Sequence, residues 1–307
     1  MQLEPGNADY RIWLAEHEEF AGGSPERPLR DALRLRPVHS AAWIRLGLWE
    51  ESRGNVRDAE SLLLRAAEVD RLHVPRWTLA NFYFRQKRQA EFALWLDRAF
   101  AMSYGDRRAL FDLALRAAPS EDELLRLIPD SVEIRLAFLR HLASLNRTAG
   151  AAAIARAAAS AATPEQTREL VSWSTRLIDA GDAAGAHALW TLLCGRGVLA
   201  CPNDSFRADP SGEGFDWRLA HPAVRTAGGL RLRFDGSQPE HAEILWRWVY
   251  RPPSVRVRAD WDAAPGFTWV VDRSGTDLAR LTLRYDRPQG QVRYRGEILI
   301  RSARLEP

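Results

Sequence analysis

Two hydrophobic periods divide this chain. From Ala8 to about Cys194 apolar residues recur at three- and four-residue intervals, whereas beyond Pro202 they alternate with polar ones. The first spacing writes amphipathic helices and the second writes strands. A helix is expected over about Ala8 to Phe20, a turn at Gly22-Gly23, and a second helix reaching Arg34 before Pro37, because proline has no amide hydrogen to continue the ladder. Further apolar runs cover Trp43 to Gly47 and Ala59 to Ala66 around a Gly54-Asn55 turn, then Trp77 to Asn81 and Ala93 to Phe100. Register is lost from Met102, although Leu110 to Leu115 is helical in pattern. Ser120 with Glu123 writes a capping box for a short helix ending before Pro129. Periodicity resumes over Ile134 to Leu145, Ala151 to Ala159, Thr163 to Ala180 and Ala183 to Cys194. Four or five helical hairpins, one irregular, are expected over residues 8–196.

The alternating stretches are Leu230 to Phe234, Ile244 to Tyr250, Val255 to Ala259, Phe267 to Val271, Leu281 to Tyr285 and Ile298 to Arg301. Turn signals separate them at Asp235-Gly236, Pro252-Pro253, Pro265-Gly266, Ser274-Gly275 and Gln289-Gly290. Six to eight short strands punctuated in this way predict an antiparallel sandwich of jelly-roll type. The expected architecture is therefore α+β and multidomain, with an N-terminal α-helical solenoid over 1–200 and a C-terminal antiparallel β-sandwich over 203–307.

The helical half repeats itself. Trp43 recurs as Trp77 and Ala59 as Ala93, each 34 residues on. Trp43, Leu46 and Gly47 followed by Ala59, Leu63 and Ala66 resemble the tetratricopeptide (TPR) motif, a helix–turn–helix repeat of that period. In the next copy Trp77, Ala80 and Asn81 hold the trio and Phe100 replaces Ala66, so this repeat is degenerate. The resemblance implies stacked hairpins with a concave face for a protein or peptide partner. Pro5 and Pro37 stand at matching places, and the opening residues through Ala8 read as a junction between repeats, which leads one to expect a segment upstream.

The strand half carries a second resemblance. Asn203-Asp204-Ser205-Phe206, Gly214-Phe215-Asp216-Trp217-Arg218, the run Leu230 to Gly236 and the closing Gly296-Glu297-Ile298-Leu299-Ile300 look like a carbohydrate-binding module of the galactose-binding-like type. That likeness implies structural roles for Phe206 and Trp217 and an abbreviated sandwich, because the strand at Ala279 follows Val271 so closely.

Composition narrows the partners. The 307 residues carry 43 basic and 40 acidic side chains, for a net charge of +3. Lys87 is the only lysine. A balanced chain lacks the concentrated basic face that nucleic acid requires. No apolar run is long enough for a membrane span, and no signal peptide is legible after Met1. Cys194 and Cys201 are too few for a disulfide framework. Their spacing leaves one bridge or two reduced thiols open, with the thiols the more ordinary reading.

Trp246, Trp248 and Tyr250 share one strand face by alternation, with Trp261 and Trp269 as further members of a glycan-stacking platform. An aromatic stripe in a small sandwich is more often core, or the seam against neighbouring helices, than a ligand surface. Arg231, Arg233, Arg256, Arg258, Arg284 and Arg301 read as solvated faces, and Asp204, Asp209, Glu213 and Asp216 as a weak candidate for calcium. Histidines are scattered, with no nucleophile elbow and no phosphate loop. The expectation is a non-catalytic scaffold without cofactor or resident metal, binding protein through its repeats and a polysaccharide through its sandwich. Its expected setting is the bacterial cell envelope or periplasm. A pure adaptor with a structural cap, and an accessory subunit in polysaccharide synthesis or processing, are the alternatives.

Overall fold

The computed structural model describes residues 6–306 except 198, 200, 253–255 and 276. Pro5, Pro253 and Val255, which figured in the expected repeat start, turn and strand, lie outside the described residues. The chain divides into two compact units, Met1–Pro129 and Asp130–Pro307, so the last four helices share a unit with the strands.

The first unit holds eight helices in consecutive pairs: α1 (Ala8–Phe20) with α2 (Glu26–Leu35), α3 (Ser40–Ser52) with α4 (Val56–Val69), α5 (His73–Arg85) with α6 (Gln89–Ala101), and α7 (Arg108–Ala117) with α8 (Glu121–Leu127). Repeat residues explain the close pairing of α3 and α4. Leu46, Ala59, Leu63 and Ala66 are buried, and a β-carbon on Gly47 would stand 2.8 Å from Leu63 Cδ2. Only glycine lets those two backbones approach so nearly. Trp43 stays half-buried against the α1–α2–α3 core and donates from Nε1 to the Pro37 carbonyl at 2.8 Å. The Ser120 hydroxyl accepts the Glu123 amide as predicted, but the Glu123 carboxylate pairs with Arg126 at 2.8 Å, so the box is half made.

In the second unit α9 (Val132–Ser144), α10 (Ala151–Ala159), α11 (Pro164–Asp179) and α12 (Ala183–Gly195) precede the strands, which brings the helical pairs to six among the described residues. Small side chains let α10 touch α9, α11 and α12 at once. The capping box of α11 is complete, Thr163 Oγ1 accepting the Gln166 amide at 3.3 Å and Gln166 Oε1 accepting the Thr163 amide at 2.9 Å.

Eight strands follow: β1 (Arg218–Leu219), β2 (Ala223–Thr226), β3 (Gly229–Asp235), β4 (His241–Tyr250), β5 (Val257–Trp261), β6 (Phe267–Ser274), β7 (Leu278–Asp286) and β8 (Arg295–Leu305). They form two open four-stranded sheets, β1-β4-β7-β6 and β2-β3-β8-β5, with every neighbouring pair antiparallel. Alternate residues of both sheets supply one core: Leu230, Leu232 and Phe234 from β3, Leu281, Leu283 and Tyr285 from β7, Ile298 and Ile300 from β8. Phe206 and Trp217 lie in this core as the motif resemblance implied, and Trp217 Nε1 donates to the Asn203 carbonyl at 3.0 Å. Among the described residues no helix is long and apolar enough to cross a membrane.

Candidate functional site

Strand β4 sorts the predicted aromatic residues. Leu245, Arg247 and Val249 turn toward the shared core, where the Arg247 guanidinium lies 4.7 Å from the Trp217 ring centre. Trp246, Trp248 and Tyr250 occupy the opposite face, as strand alternation requires. Trp246 is covered there, with the guanidinium of Arg280 3.9 Å and that of Arg218 4.6 Å from its ring centre. Arg280 is held by both carboxylate oxygens of Glu243, and burial lowers the Arg218 pKa from its ordinary value. Tyr250 stacks on His187 of α12 at 4.4 Å. Trp261 and Trp269 are elsewhere: both pack against the core, and Trp269 meets Trp217 edge-on at 5.9 Å. The five residues thus do not share one surface.

Helix α12 faces the Trp248 and Tyr250 side of β4 across a cavity of about 340 Å³. Its walls are His187, Trp190, Thr191 and Cys194 on one side, Arg247 to Tyr250 on the other, with Cys201, Pro202, Asn203, Phe215 and Asp216 closing it. The polypeptide before β1 is drawn tightly onto the helices. Gly214 has a φ of +52°, its amide donates to Thr175 Oγ1 at 2.8 Å, and a β-carbon placed on it would stand 2.4 Å from the Trp190 ring. Glu213 accepts from the Thr175 hydroxyl, and Arg218 donates to the Gly214 carbonyl at 3.0 Å.

Cys194 and Cys201 are joined in a disulfide with Cα atoms 5.5 Å apart, so the reduced-thiol reading is corrected. The reason is the path between them. Gly197 has a φ of +71°, which turns the chain out of the helix direction, and Arg196 donates to the carbonyls of Ser160 and Ala162. Sequence spacing carries no information about such a turn.

Electrostatically the cavity is mixed and mostly apolar. Arg247 is 8% exposed; its Nη1 stands 2.6 Å from Asp204 Oδ1, a contact of charges without hydrogen-bond geometry, and its Nε has no hydrogen-bond partner. Asp216 is buried and accepts from the Ser211 amide at 2.8 Å and Asn203 Nδ2 at 3.3 Å. Desolvation, with the charge of Arg251 second, lowers the His187 pKa, which favours the neutral form of the ring that stacks on Tyr250. The predicted acidic cluster is dispersed: Asp204 goes to Arg247, Asp209 to Arg225 at 3.0 Å, Glu213 to Thr175 and Asp216 to backbone and Asn203. No group of metal-ligating side chains assembles among the described residues.

Sequence reasoning missed Arg247, His187, Trp190 and Phe215 as cavity residues. Arg247 carried a signal, being a charge in the inward register of a strand between Leu245 and Val249; the other three read as ordinary helix or loop residues. Of the six predicted arginines, Arg231, Arg233, Arg256, Arg258 and Arg301 are exposed, whereas Arg284 is half-buried and pairs with Asp272 at 2.8 Å. A smaller cavity of about 200 Å³ lies in the first unit beside Tyr83, Lys87 and Arg88. Burial and a hydrogen bond to Glu60 push the Tyr83 hydroxyl up to about 12.

Paired helices and a two-sheet module with an aromatic crevice define the class of the molecule. No protein-family model matches the chain, and no curated protein matches it. Solved structures similar to it include PilF of Pseudomonas aeruginosa, at 18% identity and a TM-score of 0.33, covering 66% of this chain and 97% of that one. MamA from Desulfovibrio magneticus RS-1 is 13% identical with a TM-score of 0.36, over 64% and 96% of the two chains. YrrB, a TPR protein with an unusual peptide-binding site, is 14% identical with a TM-score of 0.27, over 54% and 91%.

Proposed function

We propose that the protein is a non-catalytic recognition scaffold. Its tetratricopeptide-like helical pairs take protein partners, and its strand half is a jelly-roll-type sandwich that recognises a ligand in the crevice between α12 and β4. The observation carrying this reading is the cavity of about 340 Å³ walled by Trp190, Phe215, Trp248 and Tyr250, since concave, aromatic-lined clefts with few polar groups are where ligands bind. Two further observations favour recognition over chemistry. The polar groups of the wall are already engaged, His187 stacking on Tyr250, Asp216 accepting from the Ser211 amide and Asn203 Nδ2, and Arg247 standing against Asp204. The Cys194–Cys201 bridge suits an oxidising compartment, which supports a place in the cell envelope or periplasm.

A glycan is the second reading, narrowed to Trp248 and Tyr250 because Trp246 is covered and Trp261 and Trp269 pack on the core. Arrays of glycans and of synthetic peptides probed with the full chain and with Trp248→Ala test the proposal. Binding on either array that drops at least tenfold in the variant is expected. Binding that Trp248→Ala leaves unchanged would remove the crevice from the function and leave the adaptor reading, in which the sandwich only caps the helical pairs.

A further inference from the structure

One edge of β4 is uncovered. Its other edge pairs with β7 from His241 opposite Asp286 to Tyr250 opposite Leu278, interrupted only by a bulge at Ile244. On the β1 side only Trp246 and Leu245 have strand partners, Arg218 and Leu219. The chain then leaves: the amides of Ala220 and His221 both turn to the Ile244 carbonyl, at 2.9 and 3.1 Å. From Arg247 to Tyr250, therefore, four residues of a ten-residue strand have no strand beside them among the described residues.

The cavity opens onto this edge. Arg247, Trp248, Val249 and Tyr250 all line it, although alternate residues of a strand point to opposite faces. A space that borders four consecutive residues is what a cavity reaching the strand from its side produces, where unpaired backbone groups project. Such an edge is a template for another strand. Here it shares the cavity with α12 and the Cys194–Cys201 bridge, so a narrow extended segment fits it better than a folded surface does.

The chemistry selects the occupant further. Arg247 is 8% exposed and its Nε lacks an acceptor. Asp204, half-buried behind the wall, already stands against that guanidinium, and Asp216 is a buried carboxylate in the wall itself. An anionic ligand would meet those two carboxylates, whereas a peptide carbonyl is a neutral acceptor. The rings of Trp190, Phe215 and Trp248 offer an apolar seat for one large side chain.

We infer that the Arg247–Tyr250 edge of β4 takes an extended, uncharged peptide segment as an added strand, one large apolar side chain entering the cavity beside α12. The inference rests on the recognition reading above and names its partner. Main-chain hydrogen bonds supply affinity in this mode, and the pocket supplies selectivity.

The probe is a set of acetylated, amidated eight-residue peptides of alternating valine and threonine with one Trp, Phe or Leu, titrated against the full chain. Binding is expected, with a loss of at least tenfold when alternate peptide amides are N-methylated, and slowed hydrogen exchange at the Trp248 amide in the complex. Thr191→Trp, which fills the cavity from the exposed side of α12, should abolish binding without disturbing the core. Equal affinity of parent and N-methylated peptides would overturn strand addition while leaving a side-chain recognition site in place. Failure of every peptide, with or without glycan binding on the array, overturns the inference; glycan binding lost in Trp248→Ala would still uphold the crevice as the recognition site.

Discussion

Gly214 shows how much one residue decides. Its left-handed backbone and the 2.4 Å approach of a hypothetical β-carbon to the Trp190 ring mean that Gly214→Ala carries both backbone strain and a clash with a rigid ring. A loss of about 2–4 kcal/mol is expected, read as a lowered denaturation midpoint. Asp204 is a second such point. Asp204→Ala leaves the Arg247 guanidinium buried without its counter-charge and is expected to cost about 3 kcal/mol. His187 sets a pH dependence. Its folded pKa is below the ordinary value, so the unfolded chain takes up a proton first as pH falls. This contribution to stability is complete above the unfolded pKa of about 6.5 and declines as pH drops through that value toward the folded one. Thermal midpoints between pH 8 and pH 5 measure it, and His187→Phe should flatten that part of the curve. None of these three roles was legible in the sequence, because each depends on a group remote along the chain: Trp190, Arg247 or Tyr250.

Elements were far more legible, since period and caps are local. Thr163-Pro164-Glu165-Gln166 announced the start of α11, and both halves of its capping box are present. Thr163→Ala is expected to lose about 1 kcal/mol, measured by chemical denaturation. At Ser120 the same pattern is only half used, because Arg126 one turn further on competes for the Glu123 carboxylate. In α3 the glycine of the repeat trio is a packing residue, with Leu63 against it. Gly47→Val should destabilise the α3–α4 pair by about 1–3 kcal/mol, and hydrogen exchange in those two helices would show it. Among the described residues the helical pairs number six against the four or five expected, although each helix had a local signal, and α7–α8 is the irregular pair without the repeat signature. Strands β1 and β2, two and four residues long, are too short for alternation to stand out.

At the scale of the molecule, period and composition predicted helices followed by strands, but the compact units divide at Pro129, inside the helical run. A hydrophobic period reports which residues are buried, not which element buries them. The disulfide makes the same point. Replacing both Cys194 and Cys201 by serine is expected to cost about 2–3 kcal/mol by freeing the short loop between them, seen as a lower thermal midpoint. The sequence alone determined the helical pairs, the antiparallel strands, the repeat packing around Trp43 and the core roles of Phe206 and Trp217, because these follow from short-range periodicity and side-chain size. Only the tertiary structure decided that Trp246, Trp248 and Tyr250 part company with Trp261 and Trp269, that Cys194 and Cys201 meet, and that β4 leaves an edge open beside a cavity. Those depend on which strand ends early and where the chain turns back, information spread over residues far apart in sequence.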